Sequence, residues 1–259
     1  MIKTIEGNEV LNRCVAQAVA GGTKPIELLY EPIYDGDVIA YRLNPYLNSL
    51  ITGVMAPEDY MCAAVPEKLL CDFFFRVLGK AAQEIGVPAK GEHPPRLFTL
   101  RCPALPIYDA GLYARLRAAL ENVSDTARLC LEFYDDVMNA DSETLTRAFK
   151  DIHAAGLYIA VDGYGGENFP IEKLFTVCPD YLFTDARVAA LVADREKAGA
   201  TAPLLNLAKS LGGRIIADAV PNDAVCREFR SRDVFGYLPA EDYSGNMCEK
   251  RKLLRLCDL

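Results

Sequence analysis

Short apolar runs typical of β-strands alternate with helix-like segments from about residue 26 onward. This order is typical of repeated β-α units packed around a mainly parallel sheet. Eight runs are predicted as strands: 26–34, 38–43, 96–102, 128–135, 157–162, 180–185, 214–220 and 233–238. Eight strands favour a closed α/β barrel, and 259 residues fit a single barrel domain over residues 1–259.

The first two predicted strands differ from the others because only Asp35, Gly36 and Asp37 separate them. A parallel crossover needs about a dozen residues, whereas a short Gly-containing connection is typical of a hairpin. The first strand pair is therefore predicted to be antiparallel, which makes the barrel irregular.

Two helices have recognisable ends. One is predicted to begin at a cap formed by Asp141 or Ser142 and to end at Gly156. The other is predicted to begin at a Thr201 cap and to end at Gly212.

Charge and composition narrow the classes of partner. The net charge is −8 and 51% of residues are apolar, which argues against nucleic-acid binding and favours a chain with a large core. No signal-like start or membrane-length apolar run is present, so we expect no membrane association and a cytoplasmic protein. The basic cluster EKRKLLR at 249–255 is predicted to be a solvated helical face. Nine dispersed cysteines without a C-x-x-C pair predict reduced thiols, with neither disulfides nor zinc.

Four predicted strands carry an acid near their carboxyl end: Glu132, Asp162, Asp185 and Asp218. Strand ends of this kind converge on the working face of a β-α barrel. Converging carboxylates repel one another, so they need a hard divalent cation such as Mg²⁺ or Ca²⁺, a basic side chain, or raised pKa values. The alternative is that each acid caps the next helix or pairs with a surface lysine.

Other chemistries have weaker support. His93 falls in a loop and His153 inside a predicted helix, so neither indicates a histidine-based triad. The glycine-rich loop GYGG at 163–166 fits neither a dinucleotide fingerprint nor a P-loop. Its glycines are better explained by backbone geometry.

Six stretches, in order, resemble the motifs of EAL domains, the cyclic di-GMP phosphodiesterases, from about residue 24 to 243. LLYEPIYDGDVIAYRL is similar to L-x-Y-Q-P-I-V-D followed by V-x-G-x-E-A-L, and LCLEFYD to L-x-L-E-I-T-E. LYIAVDGYGG resembles L-A-L-D-D-F-G-T-G, and PDYLFTDARVAALV resembles V-D-Y-L-K-I-D-x-S-F-V. GGRIIADAVPNDA and FGYLPAEDY occupy the places of G-x-x-V-I-A-E-G-V-E-T-x-E and Q-G-Y-L-F-S-x-P.

This resemblance implies a modified TIM barrel with an antiparallel first strand pair, in agreement with the hairpin. It also implies an active site in which acids and an asparagine bind two divalent cations that activate water to attack a phosphodiester.

The implied site is altered at five positions. The glutamate of E-A-L, a metal ligand, is replaced by Arg42, and the asparagine ligand of the third strand by Thr99. The second aspartate of D-D becomes Gly163, and the lysine of K-I-D becomes Phe183. The distal glutamate of A-E-G-V-E becomes Pro221.

Other positions keep an acid. Glu132, Asp162 and Asp185 are retained, and Asp218 replaces a glutamate with a shorter side chain.

Three positions bear on binding of the nucleotide. Phe235 replaces the glutamine before G-Y-L, and Tyr46 aligns with an arginine that the family uses on the phosphate. Asn44 lies within the altered E-A-L stretch and is a third substitution that touches the ligand pocket.

Loss of one electrostatic stabiliser can cost about 10²–10³ in rate, and here several are missing together. The resemblance therefore implies a degenerate, inactive member with no catalytic residues and no bound Mg²⁺ or Mn²⁺. Arg42 is expected to pair with Glu132, Asp162 or Asp218 in place of a cation.

Three functions stay open. The first is a regulatory module in signalling that binds another protein. The second is a cyclic di-GMP receptor that does not hydrolyse its ligand, although the changes at Asn44, Tyr46 and Phe235 make that ligand doubtful. The third is a weak or altered metal-dependent phosphodiesterase using Glu132, Asp162 and Asp218 around one cation. The family also implies a possible homodimer through the loop after the D-D motif, where Glu167 replaces a glycine.

Overall fold

The computed structural model describes residues 2–21, 25–50, 52–61, 65–85, 95–121, 128–194, 196–249 and 251–255. His93, Cys62 and Cys257 lie outside these ranges. Within them, seven cysteines are free thiols, four of which are buried. Nowhere in these ranges does a helix combine the length and apolarity needed to cross a membrane.

The chain contains nine strands and eight α-helices in the described ranges. The strands are β1 Ile26–Asp35, β2 Asp37–Ser49, β3 Gly53–Met55, β4 Leu97–Cys102, β5 Leu129–Phe133, β6 Tyr158–Tyr164, β7 Tyr181–Thr184, β8 Arg214–Asn222 and β9 Gly236–Ser244. The helices are α1 Ile2–Ala20, α2 Pro57–Tyr60, α3 Glu67–Ile85, α4 Leu112–Ala119, α5 Ser142–Ala154, α6 Ala186–Ala193, α7 Ala198–Ser210 and α8 Asp223–Ser231. Three short 3₁₀ helices cover Leu105–Tyr108, Asp135–Asn139 and Ile171–Phe175.

The strands close into one barrel in the order β1-β9-β8-β7-β6-β5-β4-β2, and β2 pairs again with β1. β2 and β4 to β9 run parallel to one another, whereas β1 is antiparallel to both of its neighbours. The predicted α/β barrel and its antiparallel first pair are therefore confirmed. The short strand β3, which extends the sheet beyond β2, was not predicted.

The hairpin β1–β2 aligns its two strands so that Glu31 faces Arg42. Gly36 turns the chain with φ 83°, a conformation that glycine adopts without a steric penalty. On its other edge, β1 pairs with β9 only between Tyr34 and Tyr237. This weakly closed junction between β1 and β9 is called the seam below.

The helix predictions are partly confirmed. Asp141 caps α5 by accepting a hydrogen bond from the Thr144 amide, and Gly156 follows the helix with φ 87°. The predicted Thr201 cap is wrong, because α7 begins three residues earlier. Thr201 is buried inside the helix and donates its hydroxyl to the Ala198 carbonyl.

The barrel interior has an apolar floor and a charged top. Side chains of Ile33, Leu97, Tyr181, Ile216 and Leu238 belong to the buried floor cluster. The barrel's outer face packs against the helices in a second, larger cluster. The carboxyl ends of β2 and β4 to β8 surround the opposite end of the interior, called the mouth below, and the charged side chains predicted from sequence meet there.

Candidate functional site

Arg42 lies at the centre of the barrel mouth. Its side chain is 0% exposed, and its guanidinium lies over the ring of Phe183 at 4.2 Å from the ring centroid. Phe183 belongs to the apolar floor, so its ring separates the guanidinium from the lower interior. Because β2 runs between β1 and β4 with Arg42 opposite Glu31 and Thr99, the strand register fixes this position.

The Arg42 guanidinium binds carboxylates from several strands. Its Nε atom donates to Glu132 at 3.1 Å, and its Nη1 atom donates to Asp218 at 2.9 Å. Its Nη2 atom lies 2.9 Å from the other Glu132 oxygen as an ion pair without hydrogen-bond geometry. Asp162 and Glu31 lie farther away, at 3.7 and 3.9 Å. Burial opposes the charge of Arg42, but Glu132, Asp218 and the other acids hold its pKa well above the usual value. These acids therefore favour the charged form of Arg42.

A second arginine supports the same carboxylates. Arg101 of β4 lies 3.3 Å from Glu132 through Nε and 3.3 Å from Asp162 through Nη2. Thr99 donates its hydroxyl to Glu132 at 2.7 Å. The buried Glu132 thus accepts hydrogen bonds from three side chains, which satisfies a carboxylate that would otherwise be costly to bury.

A third arginine reaches the mouth from the C-terminal segment. The Nε atom of Arg251 pairs with Glu31, and Nη1 lies 3.6 Å from Asp218. Residues 251–255 contain no helix, so the prediction of a solvated helical face for EKRKLLR is wrong for the described part of that stretch. Arg251 departs from the prediction because buried acids on β1 and β8 bind its guanidinium.

Three guanidiniums therefore face four carboxylates and leave one negative charge uncompensated; the carboxylates are Glu31, Glu132, Asp162 and Asp218. Burial alone would raise the pKa of Asp218, but Arg42 and Arg251 lower it below its usual range. Asp162 has the weaker contacts, and burial raises its pKa to about 6 despite Arg42. Asp162 is the member of the cluster whose charge is least well compensated.

A bulge in β8 directs Asp218 into the mouth. The pairing of β8 with β9 shifts between Ala217 and Val220, and Ala219 takes φ 55°. The Asp218 amide donates to the Thr184 hydroxyl, and the Ala219 amide donates to the Asp218 carboxylate. Alanine is strained in this left-handed conformation, which glycine adopts freely.

The remaining predicted acid and glycine positions lie near the rim of the mouth. Gly163 has φ 81°, and a Cβ there would lie 3.1 Å from the Cβ of Asp135. Asp185 caps α6 by accepting from the Arg187 amide, which matches the helix-cap alternative for that acid. Pro221 follows the β8 bulge, partly buried.

The three residues predicted to bear on nucleotide binding do not meet at one place. Asn44 and Tyr46 follow Arg42 at two-residue spacing along β2, so they share its face and lie farther out. Phe235 lies at the opposite end of the barrel, where its ring packs on Tyr181 and its amide donates to Ile215. The structure does not bring Phe235 to the mouth.

A cavity of about 340 Å³ opens at the mouth beside these groups. Four aspartates line it, together with Arg251 and smaller or aromatic groups: Asp135, Asp162, Asp185, Asp218, Tyr134, Gly163, Thr184, Ala186 and Ala219. The accessible part of the mouth is therefore mainly acidic.

Sequence reasoning missed Glu31, Arg101 and Arg251. The first two were detectable, because Glu31 lies opposite Arg42 in the predicted hairpin and Arg101 shares the strand face of Thr99 by two-residue spacing. Arg251 carried no such signal, since it reaches the mouth from outside the barrel strands.

The sequence matches the EAL domain family over residues 15–237. The chain belongs to the EAL domain family. A search of curated proteins finds no match.

Solved structures of EAL domains share the fold. The PaMucR phosphodiesterase in complex with c-di-GMP is 20% identical, with a TM-score of 0.74 over 89% of this chain and 94% of that one. The Xanthomonas citri FimX EAL domain in complex with c-diGMP is 16% identical, with a TM-score of 0.78 over 97% and 100%. An EAL domain protein from Listeria monocytogenes EGD-e is 18% identical, with a TM-score of 0.68 over 88% and 90%. At these identities the likeness shows the fold alone.

The donor set at the mouth does not fit the two divalent cations that the resemblance implies. Both oxygens of Glu132 and one oxygen of Asp218 lie within 3.1 Å of the Arg42 guanidinium. A divalent ion within about 4–5 Å of that guanidinium would be repelled by roughly 7 kcal/mol at an effective dielectric constant of about 20. Among the described residues, no group of three or more His, Cys, Asp or Glu side chains has an arrangement that could hold a metal ion.

Proposed function

We propose that this chain is a catalytically inactive EAL domain that acts as a regulatory module in cyclic di-GMP signalling by binding another protein. The observation that carries the proposal is the buried Arg42 guanidinium, which lies 2.9 Å from carboxylate oxygens of both Glu132 and Asp218. Hydrolysis by the family's route needs cations that activate water and stabilise the leaving oxygen. A guanidinium stabilises negative charge but does not generate a metal-bound hydroxide.

Other changes in the mouth support the same proposal. Phe183, in place of the family's lysine, has its ring beneath Arg42 and offers no group to orient water. Gly163 has no carboxylate for a second cation, and a larger side chain there would crowd Asp135. The barrel itself is intact, so its surface remains available for recognition. Large apolar side chains are exposed at Leu50, Val54 and Phe175, and such groups contribute to protein contacts.

The enzymatic part of the proposal is tested with cyclic di-GMP and Mg²⁺ or Mn²⁺, with an active EAL phosphodiesterase as positive control. We expect no linear product above the rate without protein. Turnover that Glu132→Gln abolishes would overturn the proposal, because it would show that the carboxylates still support hydrolysis.

The binding part is tested by capturing partners with the tagged full chain and repeating the interaction with purified components. We expect a stoichiometric complex that forms equally well with and without cyclic di-GMP. Failure to reconstitute any captured interaction with purified proteins would count against a protein-binding module.

A second candidate function is a receptor that binds cyclic di-GMP without hydrolysing it. The observations that favour it are the FimX EAL domains solved with this nucleotide and the cavity at the mouth of this barrel. Against it, four aspartates line the cavity and would face a ligand with two negative phosphates. Calorimetry with cyclic di-GMP decides this: we expect no heat of binding at tens of micromolar ligand, and a saturable signal would favour the receptor.

A further inference from the structure

Residues 251–255, called the strap below, lie along the seam of the barrel. Leu254 forms an antiparallel bridge with Tyr30 of β1, in which each amide donates to the other's carbonyl at 2.8 Å. Among the described residues, β1 otherwise pairs on this edge only at Tyr34 with β9. The strap thus occupies the open edge of β1 as a short added strand.

The strap also matches the charges of β1. Arg251 pairs with Glu31, and Arg255 lies 3.0 Å from Glu27. Residues four apart along an extended chain point to the same side, so a row of two arginines meets a row of two glutamates. Backbone pairing and side-chain charge therefore recognise the same extended segment.

Besides its ion pairs, the strap is held by packing of the partly buried Leu254 against the larger apolar cluster. It makes one pair of backbone hydrogen bonds, and the side chain of Arg255 is 68% exposed, so that ion pair contributes little. Arg251 is better buried but touches Glu31 and Asp218 beside the cavity of about 340 Å³, which leaves room for another side chain. A segment with the same features and additional contacts would displace the strap.

We propose that the seam is a docking site for an extended basic segment of a protein partner, and that the strap occupies this site within the free chain. The partner segment adds a strand to the edge of β1 and places basic side chains against Glu27, Glu31 and Asp218. This inference rests on the proposed protein-binding function and names the chemistry of the partner. The site takes two basic residues four apart, with a backbone pair to Tyr30 between them.

The test uses a fluorescein-labelled peptide with the strap sequence EKRKLLR and the full chain. Leu254→Pro removes the amide that donates to Tyr30 and so releases the strap without shortening the protein. By fluorescence anisotropy, we expect the variant to bind the peptide at least tenfold more tightly than the unmodified chain, because the strap no longer competes. A scrambled peptide of the same composition should bind at least tenfold more weakly to the variant.

Two further variants keep the test decisive if Leu254→Pro perturbs folding. Arg251→Gln leaves the backbone pair intact, and it should also increase peptide affinity severalfold. Adding Glu27→Gln to either variant should reduce that affinity severalfold, since Glu27 lies at the edge of the site. Equal peptide binding by all forms, equal binding of the scrambled peptide, or no binding to the released variants would overturn the proposal.

The strap of a second copy of this chain is the alternative occupant of the seam, and light scattering distinguishes it from a different protein. A dimer of the unmodified chain that the peptide dissociates would assign the seam to the strap of another copy and overturn the assignment to a different protein. The proposed function is tested apart from this one. If a purified partner binds the chain and excess peptide does not displace it, the seam proposal fails and the protein-binding function stands.

Discussion

Replacing Arg42 with methionine removes the charge at the centre of the mouth while keeping a side chain of similar length. Glu132 and Asp218 then lose their 2.9 Å partner, and Glu132 is only 1% exposed. Removing one member of a buried ion pair typically costs 3–5 kcal/mol, because the remaining charge is left uncompensated. Arg101 and Thr99 still bind Glu132, so we expect a loss of about 4 kcal/mol at pH 7.

The loss is measured as the free energy of unfolding in urea and as Tm. For a chain of 259 residues, roughly 2 °C of Tm corresponds to 1 kcal/mol, so the expected decrease is about 8 °C. The variant should also regain stability between pH 7 and pH 5. Without Arg42, the crowded carboxylates have raised pKa values in the folded state, so they bind a proton at a higher pH than they do in the unfolded chain. Stability therefore rises as the pH falls through those folded-state pKa values.

Two controls define the result. Arg42→Lys keeps the charge without the planar arrangement of donors that reaches both Glu132 and Asp218, and it should lose less stability than Arg42→Met. Glu132→Gln combined with Arg42→Met should recover part of the loss, since the uncompensated charge is gone. If Arg42→Met unfolds within 1 kcal/mol of the unmodified chain and shows the same pH dependence, the guanidinium does not hold the cluster together and the reasoning is wrong.

Three smaller changes test other parts of the mouth and the surface. Asp162→Asn should add about 1 kcal/mol to the unfolding free energy at pH 7, because a pKa of about 6 in the folded state makes the charged form costly there. Denaturation curves should show this gain vanishing near pH 4, and a loss of stability at pH 7 would contradict the prediction. Ala219→Gly should be neutral or stabilising by up to about 1 kcal/mol, since φ is 55°, and a clear loss by the same measurement would refute the strain. The hydrogen bond to Asp180 raises the pKa of His153, so NMR titration should show a pKa above 6.5 that falls in Asp180→Asn. The stability that this pair contributes is fully present below the pKa of His153 in the unfolded chain, and it is lost as pH rises through the pKa of His153 in the folded protein.

The fold could be predicted because patterns within short stretches of sequence indicate its strands, helices and first hairpin. Alternating strands and helices indicated the barrel, and the three-residue connection at Asp35 to Asp37 allowed no arrangement except an antiparallel hairpin. The cap at Asp141 also followed from local chemistry. The β3 strand was missed because Gly53–Met55 is too short to produce a pattern.

Errors arose where distant contacts decided the structure. Thr201 has the residue type of a helix cap, but Arg232 donates to its hydroxyl at 2.7 Å and to the Ala198 carbonyl at 3.0 Å. Those contacts tie the preceding turn to α8 and fit a helix that starts at Ala198. Arg251 was misassigned for the same reason, since its partners lie on β1 and β8.

In the candidate site too, features set by local sequence could be predicted and features set by distant contacts could not. The converging acids and the central arginine followed from strand periodicity and the family resemblance, and the structure brings Arg42, Glu132, Asp162 and Asp218 together. The number of guanidiniums that bind the acids did not follow, because Arg101 and Arg251 enter only through three-dimensional contacts. Phe235 was placed by alignment alone, and its position at the opposite end of the barrel shows that a matched motif does not fix which end a side chain occupies.

A barrel lined with acids at its mouth can hold them with ions from solvent or with cations attached to its own chain. Ions are exchangeable and lower the pKa of bound water, so they serve catalysis. Arginines are fixed by the fold and stay charged, so they offset the acids without exchanging with solvent. In this chain two of the three guanidiniums belong to barrel strands and the third, Arg251, belongs to the strap. The mouth is therefore held permanently by Arg42 and Arg101, and its remaining charge balance depends on what occupies the seam.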